Sequence, residues 1–409
     1  MAKTKHNQNQ DLQDEKMNTI ADNKSSKSAN AKNPDSDKWE IPSDWEVKRL
    51  EDACSHFKSG FGITSEQIFD TEMYPVYGGN GLRGFTNKFT HDGNYLLIGR
   101  QGALCGNIQR VSDKVYISEH AIAVQTNSNN DIDFLAYKLE YKNLNRLSES
   151  SAQPGLAVEK LLRLKIELPP LPEQTAIAQL LSTWDNAITK TQALIAQKEQ
   201  RKKWLMQNLL TGKMRLKGFG NTKWKKVGAG EIFESFTKKG FENEELLSAT
   251  QDRGIIPRSQ LEGRVTMPEG TTAGYKLVEP GDFIISLRSF QGGLEYSYFR
   301  GIVSPAYIVL KPKEKIEVEF YKQYYKSYEF IGRLATAVIG IRDGKQVSYD
   351  DFCIVKIPFP SIEEQTAISQ VLQAADKEIQ LLKRKCDKLK EQKKGLMQVL
   401  LTGKKRLII

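Results

Sequence analysis

One stretch of this chain is present twice, and that fact limits the folds open to it more than any other. Ile166 to Leu216 reads IELPPLPEQTAIAQLLSTWDNAITKTQALIAQKEQRKKWLMQNLLTGKMRL. Ile357 to Leu407 reads IPFPSIEEQTAISQVLQAADKEIQLLKRKCDKLKEQKKGLMQVLLTGKKRL. The copies align without a gap at a constant offset of 191 (357 − 166), and roughly half of their positions are identical. A repeat on this scale means two like structural units, so it is placed before anything else is assigned.

Each copy reads as one long helix. Pro169, Pro170 and Pro172 precede the first copy, and Pro358 and Pro360 the second, so neither helix extends backward. Glu173 and Glu364 fall in the first turn, where a carboxylate meets the positive helix end. Gly212 and Gly403, with Lys and Arg around them, are stop signals. Between these marks runs a mostly apolar 4-3 alternation of Ile177, Leu181, Trp184, Ile188, Thr191, Ile195, Lys198, Lys202, Leu205 and Leu209. The second copy keeps the register with Ile368, Leu372, Ala375, Ile379, Leu382, Cys386, Leu389, Lys393, Leu396 and Leu400. A period of 3.5 is the seam of a coiled coil. Helices of roughly 40 residues are about 60 Å long. A stripe this narrow is not buried alone, and the obvious cover for each copy is the other. Antiparallel pairing would give a pseudo-two-fold axis and place whatever precedes each helix at opposite ends of a rod.

The rest of the chain divides around these helices. Residues 1–37 are Lys, Asn, Asp, Ser and Gln with almost nothing apolar, and their acids and bases largely cancel. They are expected to be a disordered tail. Residues 38–168 form the first folded domain, with strand-like runs at Tyr74–Tyr77, Asn94–Ile98, Val115–Ile117 and Ala121–Val124 separated by Gly, Asn and Asp. One or two helices follow around Asp133 to Leu147. The central helix takes 169–217, a second domain 218–359, and the C-terminal helix 360–409. The second domain repeats the grammar of the first. Trp45-Glu-Val and Trp224-Lys-Lys-Val open the two domains, Gly93–Gly99 is mirrored by Gly281–Leu287, and Arg288 falls where Arg100 does. A helix over Glu317 to Ala335 corresponds to the one at Asp133. The fold class is therefore α+β, two β-rich domains separated by two long helices.

Composition fits a protein of this kind: 409 residues are too many for one core, with 39% hydrophobic and 27% charged residues. The net charge of +10 suits a polyanionic partner. Cys54, Cys105, Cys353 and Cys386 are scattered without a CxxC pair and read as reduced thiols, not a zinc site. No apolar run reaches membrane-spanning length and no signal core opens the chain, so a cytoplasmic location is expected.

The sequence offers little for catalysis. Gly79-Asn-Gly-Leu-Arg-Gly84 matches GxGxxG, but Phe85-Thr-Asn-Lys-Phe89 is no helix, so a turn is expected. No GxxxxGK[ST] and no Asn/Asp-Pro-Pro-Tyr/Phe occurs, Glu46-Val-Lys48 is a strand edge, and no metal cluster stands out. What the chain does have is glycine-bearing basic loops. Gly78, Gly79, Asn80 and Arg83 lie on the first, Arg100 and Gln101 on the second, Arg288, Ser289 and Gln291 on the third, and Arg342, Lys345 and Gln346 on the fourth; Gln153 precedes the first long helix. Arg reads guanine bidentately and Asn or Gln reads adenine. Glycine lets backbone approach a phosphate. Ordinary hairpin turns account for any single loop equally well.

The layout, together with YPVYGGNGLRGFTN, LIGRQGALCGNIQRV, SLRSFQGG, IRDGKQVSY, LPPLPEQTAIAQLL and LLTGK, resembles the specificity subunit of type I restriction-modification systems from Trp39 to Leu407. The resemblance implies two target-recognition domains, each reading half of a bipartite double-stranded DNA site, with the helices as a ruler. It implies two methyltransferase subunits that use S-adenosylmethionine for adenine-N6 methylation, and restriction subunits that use ATP and Mg. It implies no catalytic residue and no cofactor in this chain. A coiled-coil adaptor whose β domains bind protein is the alternative from another class, and a silent, recombining copy of the same family is a third.

Overall fold

The computed structural model describes residues 41–102, 104–148, 154–220, 223–261, 272–337 and 347–407. The tail at 1–37 lies outside them.

The first domain is built on a four-stranded antiparallel sheet in the order Cys54–Ser59, Ala121–Thr126, Tyr95–Gly99, Ile108–Val111. Its two central strands are buried on both faces, which is why Leu96–Ile98 and Ala121–Val124 read as unbroken apolar runs. Alternation still decides which way each side chain goes, because successive strand residues face opposite sides. Leu96, Ile98, Ile122 and Val124 pack with Phe134, Leu135 and Leu139 of the helix Ile132–Lys142. Leu97, Ala121 and Ala123 join Val115 and Ile117 on the other side. There a three-stranded sheet, Gly81–Thr86, Tyr74–Gly78, Tyr116–Ile117, covers them. Asp131 caps the helix by accepting from the amides of Asp133 and Phe134, both at 2.9 Å.

The second domain repeats this plan with other residues. Its four-stranded sheet runs Phe233–Phe236, Ile308–Pro312, Phe283–Ile285, Glu295–Tyr296, the same spatial order. Phe283, Ile285 and Leu310 face a core crowded with Phe233, Phe320, Tyr321 and Tyr325, while Ile284 and Val309 face Leu247, Val278 and Val303. The helix expected over Glu317 to Ala335 is two helices, Val318–Tyr325 and Tyr328–Ala337. The break falls at Lys326 and Ser327. The Lys326 and Ser327 amides bond the carbonyls of Gln323 and Tyr324, and the Ser327 hydroxyl accepts from the amide of Phe330 at 3.2 Å, opening the second helix. A two-stranded ribbon closes each domain: Glu46–Arg49 with Lys165–Leu168, and Lys225–Gly228 with Lys356–Phe359.

The long helices are Leu171–Leu209 and Ile362–Leu400, 39 residues each, in equivalent positions of the repeat. Pro172 stands inside the first turn instead of before it, where its missing N–H has no intrahelical partner to lose. The helices pair antiparallel, as their ion pairs show. Lys393 reaches Asp185 and Lys202 reaches Asp376, each at 2.6 Å. These two bridges are the same bridge seen twice, since 202 + 191 = 393 and 185 + 191 = 376. The pseudo-two-fold axis therefore crosses the rod midway between them.

The seam is closed all along. Trp184, Ile188, Ile195, Leu382 and Leu389 are half-buried and Ile379 and Cys386 buried, amid exposed neighbours. At the ends the seam merges with the domains. Ile177 and Leu181 share the first domain's core with Leu400 and Leu401, while Ile368 and Leu372 share the second domain's core with Leu209 and Leu210. Each domain thus sits on the start of the helix that follows it and on the end of the other helix, and the two domains lie at opposite ends of the rod.

Candidate nucleic-acid interface

Two junctions fix the domains to the rod, and they are chemically the same. At the first, Glu173 is buried and takes two hydrogen bonds from Arg406, Nε to Oε1 at 2.7 Å and Nη2 to Oε2 at 2.6 Å. Trp45 Nε1 donates to the same carboxylate at 3.3 Å. At the second, Arg215 holds buried Glu364 at 2.6 and 2.7 Å, and Trp224 Nε1 donates to it at 2.8 Å. The next residue of each repeat ties the helix to the domain. Gln174 Oε1 accepts from the Asp131 amide at 2.9 Å and Gln365 Oε1 from the Glu317 amide at 2.8 Å. Their Nε2 groups donate to the Pro169 and Pro360 carbonyls, both at 2.9 Å. Gly403 and Gly212 end the helices at φ +74° and +71°, and a Cβ there would press on Pro42 and Trp224 respectively. The repeated phrases EQT and LLTGK are thus the two halves of one joint, met across the rod.

In the first domain, the glycine-bearing loops converge at one sheet end. Gly79 is buried against neighbouring backbone: a Cβ there would lie 2.7 Å from the His120 carbonyl and 3.2 Å from Gly99 Cα. That contact brings Asn80 and Arg83 alongside Arg100 and Gln101. Arg100 is pinned through its backbone, its amide donating to the His120 carbonyl and its carbonyl accepting from the Leu156 amide, both at 2.9 Å. Its guanidinium donates to Ser59 Oγ at 3.3 Å. Gln101 Oε1 lies 3.0 Å from His120 Nδ1. Asn80, Arg83 and Gln101 are exposed, and Arg100 is half-buried. The GxGxxG stretch is the turn of the hairpin Tyr74–Gly78/Gly81–Thr86, with Gly81 and Gly84 at positive φ.

The second domain presents Arg288 and Gln291, both exposed, at the matching end of its sheet. Ser289 is a correction. It is buried, and its Oγ accepts from the Ser286 amide at 2.8 Å, so it holds the loop and offers nothing to a partner. Gly78 and Gly79 are likewise buried supports whose lack of a side chain lets others meet. The Arg288 loop is braced from below by Lys326, whose Nζ donates to the Gly292 carbonyl at 3.1 Å and to buried Glu295 at 2.7 Å. Burial pushes the Glu295 carboxyl above the usual range, and Lys326 pulls it back. Gln153, Arg342, Lys345 and Gln346 lie outside the described residues.

His120, Ser59 and Gln109, whose side chain lies beneath Gly81, belong to the first loop cluster although no sequence signal marked them. They come from three separate strands and loops, so only the sheet brings them together. Among the described residues there is no group of three His, Cys, Asp or Glu arranged to hold a metal, and no helix is long and apolar enough to cross a membrane.

A bilobed protein with two domains of like sheet order, each presenting an arginine-bearing loop at the matching sheet end, on an antiparallel helical spacer is the class this architecture defines. The chain belongs to the family described as the type I restriction modification DNA specificity domain, which matches it twice, over residues 42–199 and 221–391. It is 27% identical over 419 aligned positions to the putative type I restriction enzyme MjaX specificity subunit of Methanocaldococcus jannaschii, covering 90% of this chain and 95% of that one. It is 43% identical to the type I restriction enzyme EcoprrI specificity subunit of Escherichia coli, over 32% of this chain and 35% of that subunit. The fold is that of the type I restriction-modification S subunit from M. genitalium, with a TM-score of 0.58 at 18% identity over 87% of this chain and 96% of that one.

Proposed function

We propose that this chain is the sequence-reading, non-catalytic subunit of a type I restriction-modification complex, and that it reads a bipartite duplex site with one domain per half-site. The observation that carries the proposal is the pair of matching joints. They hold two domains of the same sheet order, but different loops, at a fixed separation and in pseudo-two-fold opposition. A rod of about 60 Å exceeds the roughly 34–36 Å of one turn of duplex, so two readers at its ends would straddle an untouched spacer. The +10 net charge favours a polyanion. Two equivalent joints also favour two copies of one partner, here the methyltransferase subunit. In this reading S-adenosylmethionine belongs to that partner, and ATP and Mg to restriction subunits, so adenine-N6 methylation and cleavage are performed elsewhere in a cytoplasmic complex.

Long-read methylation profiling of a host expressing this chain with its partners tests the proposal. The expected result is methylation at a single two-part motif with a fixed gap. A contiguous motif would overturn the two-reader account, and binding to no duplex with any partner would favour the protein adaptor.

A further inference from the structure

The end of the central helix and the second domain enclose a groove of about 960 Å³. Lys203 and Trp204 of the rod form one wall, and the start of the helix Tyr328–Ala337 forms the other. Six cations line the groove against two carboxylates, and both carboxylates are already matched: Glu199 by Lys383 and Glu329 by Arg333, each at 2.7 Å. Lys203, Lys213 and Lys226 have no carboxylate against them among the described residues. Trp204 is 52% exposed and Tyr328 70%. An exposed tryptophan and tyrosine among unmatched cations is the composition of an anchor site, not of a solvated face.

The groove departs from the pseudo-symmetry that governs the rest of the rod. The two-fold counterpart of Trp204 is Gly395 (204 + 191), and that of Lys226 in the matching ribbon is Val47. Where the second domain has the helix Tyr328–Ala337, the described residues of the first have one short turn, Leu144–Leu147.

We propose that this groove docks an acidic segment of the methyltransferase subunit through an apolar anchor, and so makes two otherwise equivalent partner copies unequal. The copy beside the second domain is held by the groove; the copy beside the first lacks that contact. The inference rests on the reading above and adds an asymmetry that the repeat does not contain. Charge complementarity calls for an acidic occupant. A duplex, whose major groove alone is about 12 Å across, is too broad for a cavity that holds a few side chains. Base stacking on Tyr328 is hindered because Lys203 Nζ already sits 4.9 Å from the ring centroid. The groove also communicates with the reading loop, since Lys326 both lines it and braces Gly292.

The test is native mass spectrometry of the full chain titrated with the methyltransferase subunit of its own system. Trp204→Gln combined with Lys213→Glu is expected to weaken one of the two binding steps at least tenfold, leaving one-to-one complexes where the wild type forms two-to-one. Gly395→Gln, at the two-fold counterpart of Trp204 and with open space around it, is expected to leave both steps within twofold. A photo-cross-linking benzoylphenylalanine at position 204, in an otherwise unaltered chain, is expected to capture the methyltransferase subunit. Unchanged steps in the groove variant overturn the proposal, as does cross-linking from position 204 to duplex instead of protein. A wild-type chain that recruits no methyltransferase subunit overturns the parent reading as well, so the two failures are distinguishable.

Discussion

Arg406 and Glu173 stand 233 residues apart in the chain and share a two-pronged ion pair, with Trp45 hydrogen-bonded to the same carboxylate. The end of the second long helix is thereby locked to the start of the first, and the chain closes on itself. Glu173 is only 2% exposed, so its charge depends on that arginine. Removing one partner of a buried pair leaves a charge without compensation.

Arg406→Ala is therefore expected to destabilise the first domain's joint by about 3 kcal/mol. Arg215→Ala does the same at the second joint, whose Glu364 is also 2% exposed. Glu173→Gln in the Arg406→Ala background should recover part of the loss, because it removes the orphaned charge. Urea denaturation of the three variants measures this, and a double variant no better than Arg406→Ala alone would contradict it.

Spacer length should follow the rod only when both helices change together. The two-fold relation of Lys202–Asp376 to Lys393–Asp185 means that an insertion in one helix shifts one bridge and not its mate. Adding one turn within Gln192–Gln200 and another at the two-fold position in the C-terminal helix is expected to lengthen the methylated motif's gap. The single insertion is expected to lower stability and activity instead. Methylome sequencing of both variants decides, and an unchanged gap in the doubly extended chain removes the ruler from the account.

Arg100→Ala should relax one half-site and Arg288→Ala the other, each at a loss of about 1–3 kcal/mol for the correct base. Arg100 is held at both its backbone polar groups, so the alanine variant keeps those anchors and removes the side chain beyond Cβ, with the guanidinium and its bond to Ser59. Competition binding with singly substituted duplexes reads the outcome. Equal weakening on every sequence would reassign these residues to the phosphate backbone.

The two domains should respond differently to acid. His56 and His91 lie in the first domain with ring centroids 5.9 Å apart, beside Tyr95. Burial lowers both imidazoles below the ordinary value, with Lys58 adding to the effect on His56 and His56 to that on His91. Unfolded, each would titrate at about pH 6.5. The folded domain then binds fewer protons than the unfolded chain just below that value, so its stability is full above it and falls as the pH drops toward the folded values. No histidine follows His120, so the second domain lacks this term. Hydrogen exchange at about pH 7.5 and about 5.5 should show protection lost first in the first domain. Equal loss in both domains would show that these imidazoles are not the cause.

The two long helices, their seam and their pairing were legible because periodicity and an internal repeat are local properties of a string. So were the central strands, whose unbroken apolar runs reflect burial on both faces. The break at Lys326–Ser327 was not legible, since an apolar pattern continued across it and only hydrogen bonds at the break reveal it. Nor was the role of Ser289: a serine beside an arginine in a loop looks like a contact residue until the Ser286 amide is found bonded to it. His120 joined the first loop cluster through the sheet alone.

The sequence by itself determined that the molecule has two like halves, because identity at a fixed offset needs no coordinates. It even marked the joints. The shared positions crowd the two ends of each helix, while Thr189 to Arg201 matches none of the corresponding 380–392. Mid-rod residues need only keep a seam, and many apolar choices do that. Only the tertiary structure decided what the shared ends are for. Glu173 looked like a helix-dipole carboxylate, and its partner Arg406 is met by folding the chain back along a rod of about 60 Å. Local propensity acts over a few residues, whereas a buried charge chooses its partner across the whole molecule.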